Sequence, residues 1–297
     1  MSTISIAMAT YNGERYLREQ LDSILTQTIP FHELIICDDV STDRTWEILL
    51  EYAEKDSRIK PYRNEQNLGF LKNFEKALTL CTGDFIALSD QDDIWLPEHL
   101  EVLLNGIGEK MLAVGDAEII DASGYRSGHL LSKSLNLGVV PDDDLKKAYY
   151  IFYYRSPYHG MAMLMRREFL AKMLPIPQEI IYHDIWIGSL ACFYGGLNYL
   201  SVPVTLYRRH AASISGSKIH TTRIRNLIGR VLLDKALSNR PTLVDSIRER
   251  MNGLLSEEQT RFLDASEKYY KRRKSIFGRI INFFFDITHF KLIYGCK

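Results

Sequence analysis

Over the first hundred residues, short unbroken apolar runs alternate with longer stretches in which apolar residues return every three or four positions. The runs cover residues 4–9, 33–37, 59–62 and 84–88. A run of that length without polar alternation predicts a strand buried on both faces. Between the runs, Leu17, Leu21, Ile24 and Leu25 fall on one face of a predicted helix, and Trp46, Leu49, Leu50 and Ala53 on one face of a second. A third carries Leu71, Phe74, Leu78 and Cys81, with Gly83 placed for its C′ position. Strand–helix alternation of this kind predicts an α/β chain with a mostly parallel, doubly wound sheet.

The pattern loosens after residue 97. A strand is predicted from Leu112 through Ile120 and another over 160–165, with a helix opening at Arg166 and ended by Pro175 and Pro177. Residues 122–146 read as a long loop, and loops of that length are commonly functional, which suits an acceptor-side lid. A helix starts at Tyr182-His183-Asp184-Ile185-Trp186, and a last strand over 199–206 leads into Tyr207-Arg208-Arg209-His210. The segment 218–297 reads as helical, punctuated by Pro241. The expected organisation is a domain over 1–217, in halves 1–97 and 98–217, followed by a helical extension over 218–297.

Charge adds an asymmetry to this picture. The 297 residues balance 37 Lys+Arg against 37 Asp+Glu, yet residues 218–297 hold 17 against 8. A basic tail of that kind suits an anionic partner surface. Lys268, Lys271, Arg272, Arg273 and Lys274 precede an apolar run with Phe277, Ile280, Ile281, Phe283, Phe284, Phe285, Ile287 and Phe290, a pattern suited to a helix lying in a membrane headgroup layer. The alternative is a helical cap on the main domain or a dimer contact. The four cysteines, Cys37, Cys81, Cys192 and Cys296, lack metal or disulfide spacing, which fits a reducing cytosol. The chain starts directly in a strand without a signal-peptide pattern. No apolar run reaches the roughly 18 residues of a membrane span.

The candidate chemistry sits where predicted strands end. Neither G-x-G-x-x-G nor G-x-x-x-x-G-K-[ST] occurs, so a dinucleotide fingerprint and a P-loop are absent. Instead Ser89-Asp90-Gln91-Asp92-Asp93-Ile94-Trp95 places three carboxylates in four residues after the strand at 84–88. In open α/β sheets that edge binds ligands. Carboxylates so close resist joint ionisation unless a cation neutralises them. Mg²⁺ or Mn²⁺ bridging one or two carboxylates and a diphosphate would do so. The competing reading is an acidic turn capping the helix begun by Pro97. Thr10, Tyr11, Asn12, Asp38 and Asp39 end the first two strands and suit a nucleotide base and ribose, although Asp38 and Asp39 equally suit an N-cap of the next helix. Asp184 at a helix start sits well against the macrodipole whatever else it does. The Arg208-Arg209-His210 cluster suits phosphate or a solvated loop.

Taken in order, Ala9-Thr10-Tyr11-Asn12, Asp38-Asp39-Val40-Ser41-Thr42-Asp43, Asn67-Leu68-Gly69 and Ser89-Asp90-Gln91-Asp92-Asp93-Ile94-Trp95-Leu96-Pro97 resemble family 2 glycosyltransferases with the GT-A fold. His183-Asp184-Ile185-Trp186 and Tyr207-Arg208-Arg209-His210 make the chain most similar to their bacterial rhamnosyltransferase-like branch. The resemblance covers about residues 3 to 216. It implies inverting transfer of a hexosyl group, rhamnosyl or similar, from a nucleoside-diphosphate sugar to a hydroxyl of a glycan or lipid-linked acceptor in cell-surface polysaccharide synthesis. By position it implies that Thr10, Tyr11, Asn12, Asp38, Asp39, Lys72 and Asp90 hold the donor. Asp92, the second carboxylate of the D-x-D, and His210 would face a divalent metal, Mn or Mg, and Asp184 would be the general base. The Gln-x-x-Arg-Trp of processive members is missing, which points to addition of one or a few sugars. The expected partners are the donor, the acceptor and an anionic membrane surface, with no nucleic acid. The expected location is cytoplasmic, peripheral to the inner face of the plasma membrane. Two other readings are a metal-dependent sugar-phosphate nucleotidyltransferase and a non-catalytic nucleotide-sugar-binding protein. The loop Thr10-Tyr11-Asn12-Gly13-Glu14-Arg15 lacks the glycine-rich basic character of the former, and the presence of Asp92 and Asp184 counts against the latter.

Overall fold

The computed structural model describes residues 2–135, 140–153, 156–210 and 240–273, together with Ser275, Gly278, Ile281 and Asn282. Strands β1 (Ile4–Thr10), β2 (Glu33–Asp38), β3 (Ile59–Arg63) and β4 (Phe85–Ser89) pair in parallel in the order β3-β2-β1-β4. Helices α1 (Leu17–Leu25), α2 (Thr45–Lys55) and α3 (Phe70–Leu80) connect them. Their register sets Thr10 beside Asp38 and Asp38 beside Arg63, so the polar strand ends line up on one edge. Pro61 is accommodated because β3 ends the sheet, where a missing N–H leaves no ladder bond broken.

The two faces of the sheet explain the apolar runs. In β1 and β2, Ala7, Ile35 and Cys37 join Phe74, Ala77 and Leu78 of α3, while Ile6, Met8, Leu34 and Ile36 join Leu17, Leu21 and Leu49 of α1 and α2. Alternate side chains thus enter opposite apolar layers, and between Glu33 and Asp38 every β2 position is apolar and buried. The α2 face differs from the sequence expectation. Thr45, Ile48, Leu49 and Tyr52 are buried, whereas Leu50 is 42% exposed. Tyr52 wins its place by hydrogen bonding Asp22 Oδ1 at 2.7 Å. Gly83 also differs: the C-cap of α3 is Cys81, and Gly83 instead lies against β1, where a Cβ would stand 2.7 Å from Ser5 N.

Beyond β4 the parallel pattern gives way to a mixed one. The described sheet continues through β5 (Ile94–Trp95), β6 (Leu112–Ile120), β7 (Arg126–Leu130), β8 (Met163–Arg166) and β9 (Leu197–Arg208), in the order β4-β8-β6-β9-β5, with β7 on β6. β8 lies antiparallel between β4 and β6, and β6 pairs β9 in parallel. Helix α4 (His99–Gly106) follows β5. The predicted loop over 122–146 contains β7 and the short helix α5 (Leu131–Ser134); residues 136–139 lie outside the described residues. The tight turn 121–125 that starts this hairpin is held by Asp121, whose Oδ1 accepts from Ser123 N and Tyr125 N. Helices α6 (Asp144–Tyr153), α7 (Leu170–Met173) and α8 (His183–Phe193) complete this half.

Two further helices, α9 (Arg240–Arg250) and α10 (Glu257–Arg273), pack onto α6 and α8. Leu243, Val244, Ile247, Met251, Phe262, Leu263, Tyr269 and Tyr270 belong to the same apolar cluster as Phe152, Trp186 and Phe193. Phe262 lies 5.2 Å from Phe152 and 5.2 Å from Tyr149, both edge-on. Fully burying one such side chain contributes about 1.5–3 kcal/mol, so this contact outweighs the surface ion pairs of the segment. The Arg250 guanidinium donates to Leu174 O (3.0 Å) and Pro175 O (2.7 Å). Pro241 occupies the first turn of α9, where its missing N–H has no helical partner to lose. Lys268, Lys271 and Arg272 are exposed on α10. Lys274 and, of the expected apolar run, Phe277, Ile280, Phe283, Phe284, Phe285, Ile287 and Phe290 lie outside the described residues, as do residues 211–239. Among the described residues no helix is long and apolar enough to cross a membrane.

Candidate functional site

Two sets of carboxylates meet at the strand ends. Asp38 closes β2 and is fully buried, accepting from Thr10 Oγ1 (3.2 Å), Ser41 N (3.1 Å) and the Ser41 hydroxyl. Arg63 Nε approaches the same carboxylate at 3.7 Å. Asp39 accepts from Asn64 Nδ2 (2.8 Å), Leu68 N (2.7 Å) and Gly69 N (2.8 Å). Gly69 precedes α3, so Asp39 meets the amide-rich start of α3 rather than capping α2. The Asn64 amide also donates to Asn73 Oδ1 (2.9 Å), and Lys76 Nζ donates to Asn64 Oδ1 (2.7 Å). Lys72 pairs instead through Nζ with Glu75 at 2.9 Å.

Tyr11 and Asn12 form the lip of this edge. Asn12 adopts φ +49 and accepts from Thr42 N (2.8 Å), while its own N–H donates to Ser41 Oγ (2.9 Å). Val40 has φ +63, a backbone that β-branched residues rarely adopt. Such outliers persist only where surrounding bonds over-determine them, and the bonds made by Asp38, Asp39 and Ser41 do so here. The Tyr11 side chain is 50% exposed although Thr10, Asp38 and Asp39 beside it are buried.

The acid loop after β4 is tied down from three directions. Gln20 Nε2 donates to Ser89 Oγ (2.8 Å), and Trp95 N donates to Ser23 Oγ (3.0 Å), so the polar side of α1 holds both ends. Gln91 reaches back to the Tyr11 backbone. Arg208, with its side chain 1% exposed, donates from Nε to Asp92 O (2.8 Å) and from Nη2 to Glu19 (2.6 Å), and its backbone N–H reaches Asp93 Oδ1 (2.8 Å). The reading of 90–93 as a helix cap does not match this arrangement: α4 has no side-chain cap bond.

Electrostatics mark out this second cluster. Burial, then the charges of Asp92 and Asp184, push Asp90 up to about 8. Burial and the neighbouring Asp92 and Asp90 push Asp93 well above the ordinary carboxylate range, and its Oδ2 is buried without a hydrogen-bond partner. Asp184, in the first turn of α8, accepts from Ile185 N (2.7 Å), and burial pushes it up to about 6. Its neighbour His183 is buried against Phe74, with ring centroids 4.3 Å apart, and burial lowers it to about 3, so it stays neutral. A Cβ on Gly160 would collide with the His183 ring, so the glycine there admits the start of α8.

His210 Nε2 lies 2.7 Å from Asp92 Oδ2, and its ring lies 5.0 Å from Tyr16. Among the described residues no group of three His, Cys, Asp or Glu side chains is assembled as a metal cage. Asp92 and His210 nevertheless offer two donor groups beside under-neutralised carboxylates. That set fits Mg²⁺ or Mn²⁺, whose remaining shell is commonly water and substrate phosphate.

The structure thus brings Thr10, Tyr11, Asn12, Asp38, Asp39, Asp90, Asp92, Asp184 and His210 to one region and leaves Lys72 in a part-buried ion pair with Glu75. Sequence reasoning missed Gln91, Asn64, Asn73 and Arg208. The first lay inside the acidic motif, and Arg208 lay in a charged triplet from which only His210 was singled out. Nothing in the local sequence marks Asn64 or Asn73, because their partners are far along the chain.

The model of glycosyl transferase family 2 matches residues 5–174. An uncharacterised glycosyltransferase of Haemophilus influenzae is 31% identical over 173 residues, covering 55% of this chain and 51% of that one. The Escherichia coli UDP-Glc:alpha-D-GlcNAc-diphosphoundecaprenol beta-1,3-glucosyltransferase WfgD is 38% identical over 120 residues, 40% of this chain and 47% of that one. Both alignments span about half the length of the relative. The S. aureus TarS 1–349 structure in complex with UDP aligns with a TM-score of 0.63 at 21% identity, covering 91% of this chain and 71% of that one, which shows a shared GT-A fold. With its family motifs at the ends of β1, β2 and β4 and the family model matched over more than half its length, the chain belongs to glycosyl transferase family 2.

Proposed function

We propose that the chain is an inverting glycosyltransferase. It moves a hexosyl group from a nucleoside-diphosphate sugar to a hydroxyl of a glycan or lipid-linked acceptor, within a catalytic domain over 1–217. The observation that carries this reading is that Asp184, raised to about 6, stands beside Asp90 of the acid loop, which Gln91 ties to Tyr11. A carboxyl with that proton affinity suits general-base work near neutral pH. In this reading Tyr11, Asn12 and the Asp38–Asp39 loop receive base and ribose. Asp90 lies toward the ribose, and Asp92 with His210 would hold the divalent cation. When bound, that cation neutralises charge on the departing diphosphate. The acceptor oxygen bonds to the anomeric carbon as the carbon–diphosphate oxygen bond breaks, and the hydroxyl proton passes to Asp184. One displacement inverts the anomeric centre.

A dTDP- or UDP-linked hexose is the proposed donor, with dTDP-L-rhamnose first on motif resemblance. WfgD is named for UDP-Glc and a diphosphoundecaprenol-linked acceptor, and the TarS structure holds UDP, which supports that class. A panel of dTDP-rhamnose, UDP-glucose, UDP-galactose, UDP-N-acetylhexosamines and GDP-mannose, assayed for metal-dependent binding and hydrolysis, tests it. Turnover of GDP-mannose alone would refute the donor class. A lipid-linked acceptor also suits the proposal that the extension over 218–297 docks on the cytoplasmic membrane face. Its exposed Lys268, Lys271 and Arg272 each add about 1 kcal/mol near an anionic leaflet. Flotation with anionic liposomes at low salt checks this. Failure to float removes the membrane role.

A further inference from the structure

We infer that Gln91 is a positioning residue for the donor nucleoside: its side-chain amide fixes the Tyr11 ring as a platform and couples that platform to the acid loop. The inference rests on the reading that a nucleoside diphosphate occupies this edge. Tyr11 N–H donates to Gln91 Oε1 (2.9 Å), and Gln91 Nε2 donates to Tyr11 O (3.0 Å). The amide therefore pairs with the backbone of Tyr11 as a neighbouring strand would, using both its donor and its acceptor. Gly13 makes the room. A Cβ there would collide with the Gln91 amide, and Gly13 has no positive φ to explain the glycine otherwise. Gly13 N in turn donates to Thr45 Oγ1 (2.7 Å), which pins the loop from its other side.

The consequence concerns an exposed ring on a fixed backbone. Tyr11 is half exposed, so packing does little to orient it; its backbone anchor does. Gln91 sits between Asp90 and Asp92, whose side chains face Asp184 and His210. One residue thus links the aromatic platform to the carboxylates that would face the diphosphate. Binding at the two ends of a nucleoside diphosphate is then set by a single loop. An immobilised platform loses less conformational freedom when a base stacks on it.

The test measures calorimetric affinity of the full chain for UDP, dTDP and inorganic pyrophosphate, each with Mn²⁺. Wild type is compared with Gln91→Ala, Gln91→Glu and Gly13→Ala. Gln91→Ala and Gly13→Ala, which break the clamp from opposite sides, are expected to weaken nucleotide binding about tenfold or more while pyrophosphate binding stays within about twofold. Gln91→Glu keeps the acceptor and loses the donor, so its loss falls between. The ratio of nucleotide to pyrophosphate affinity is the deciding quantity, because a general loosening of the loop would lower both equally. Equal losses, or unchanged nucleotide affinity in folded Gln91→Ala and Gly13→Ala, would overturn the inference. Should wild type bind pyrophosphate but neither nucleotide, the donor reading itself fails. Melting curves identify any variant that does not fold, and Gln91→Glu, nearly isosteric, then carries the comparison.

Discussion

Two groups of carboxylates share the same sheet edge and differ in what surrounds them. Asp38 and Asp39 are met by backbone N–H groups, hydroxyls and an amide on nearly every side. Asp93 is buried and Asp90 and Asp184 half-buried, all with far fewer donors, and desolvation raises all three. Arg208 lies under the second group, yet its side chain serves the Asp92 carbonyl and Glu19 rather than a loop carboxylate. The lesson is that residue type and strand-end position are not enough to assign chemistry. A carboxylate saturated with fixed donors shapes a loop, whereas one left short of donors holds a proton or calls for a cation.

The largest expected effect is at Asp92. Asp92→Ala should remove metal-dependent donor binding and transfer, since it deletes the carboxylate that pairs with His210. Calorimetry with Mn²⁺ and with EDTA checks this, and equal affinity in both for wild type would deny the metal role. Next comes Asp184. Asp184→Asn should leave donor affinity near wild type and cut kcat by about 10²–10⁴, and the wild-type rate should fall as pH drops through about 6, where the base becomes protonated.

Stability gives an independent reading of the same residue. The folded carboxyl holds its proton to about 6, against 3.8 for an ordinary aspartate, so folding binds protons and stability declines as pH rises across that window. Above it, the neutral Asn variant should be the more stable protein, by on the order of 1–3 kcal/mol. The difference should vanish below about pH 4, as thermal melts across pH would record. A lower melting temperature at pH 7 would place Asp184 in the saturated group instead.

Asp39→Ala should have the opposite stability effect. It removes an acceptor from the part-buried Leu68 and Gly69 amides, and each such lost hydrogen bond costs about 0.5–1.5 kcal/mol. Denaturant unfolding would show the loss, and an unchanged midpoint would contradict the contrast between the two groups. The smallest effect belongs to Val40→Gly. Glycine relieves the φ of +63 but adds freedom to the unfolded chain, leaving a net stabilisation of at most about 1 kcal/mol. A destabilised variant would mean that the Val40 side chain earns more by packing than its backbone costs.

What the sequence determined by itself is local. The doubly wound pattern over 4–89 and the placing of Asp38, Asp39 and Asp90 to Asp93 at strand ends follow from residue periodicity, which neighbours in the chain encode. Periodicity misjudged the face of α2, because Tyr52 found a partner in Asp22 on another helix. It also carried no sign that β8 would insert antiparallel between β4 and β6, since an apolar run has the same period in either direction. Tertiary structure alone decided that Asp184 approaches Asp90, that His210 meets Asp92 and that Gln91 clamps Tyr11. Those contacts join residues far apart in the chain, and their proton affinities depend on how completely the assembled fold excludes water and supplies donors.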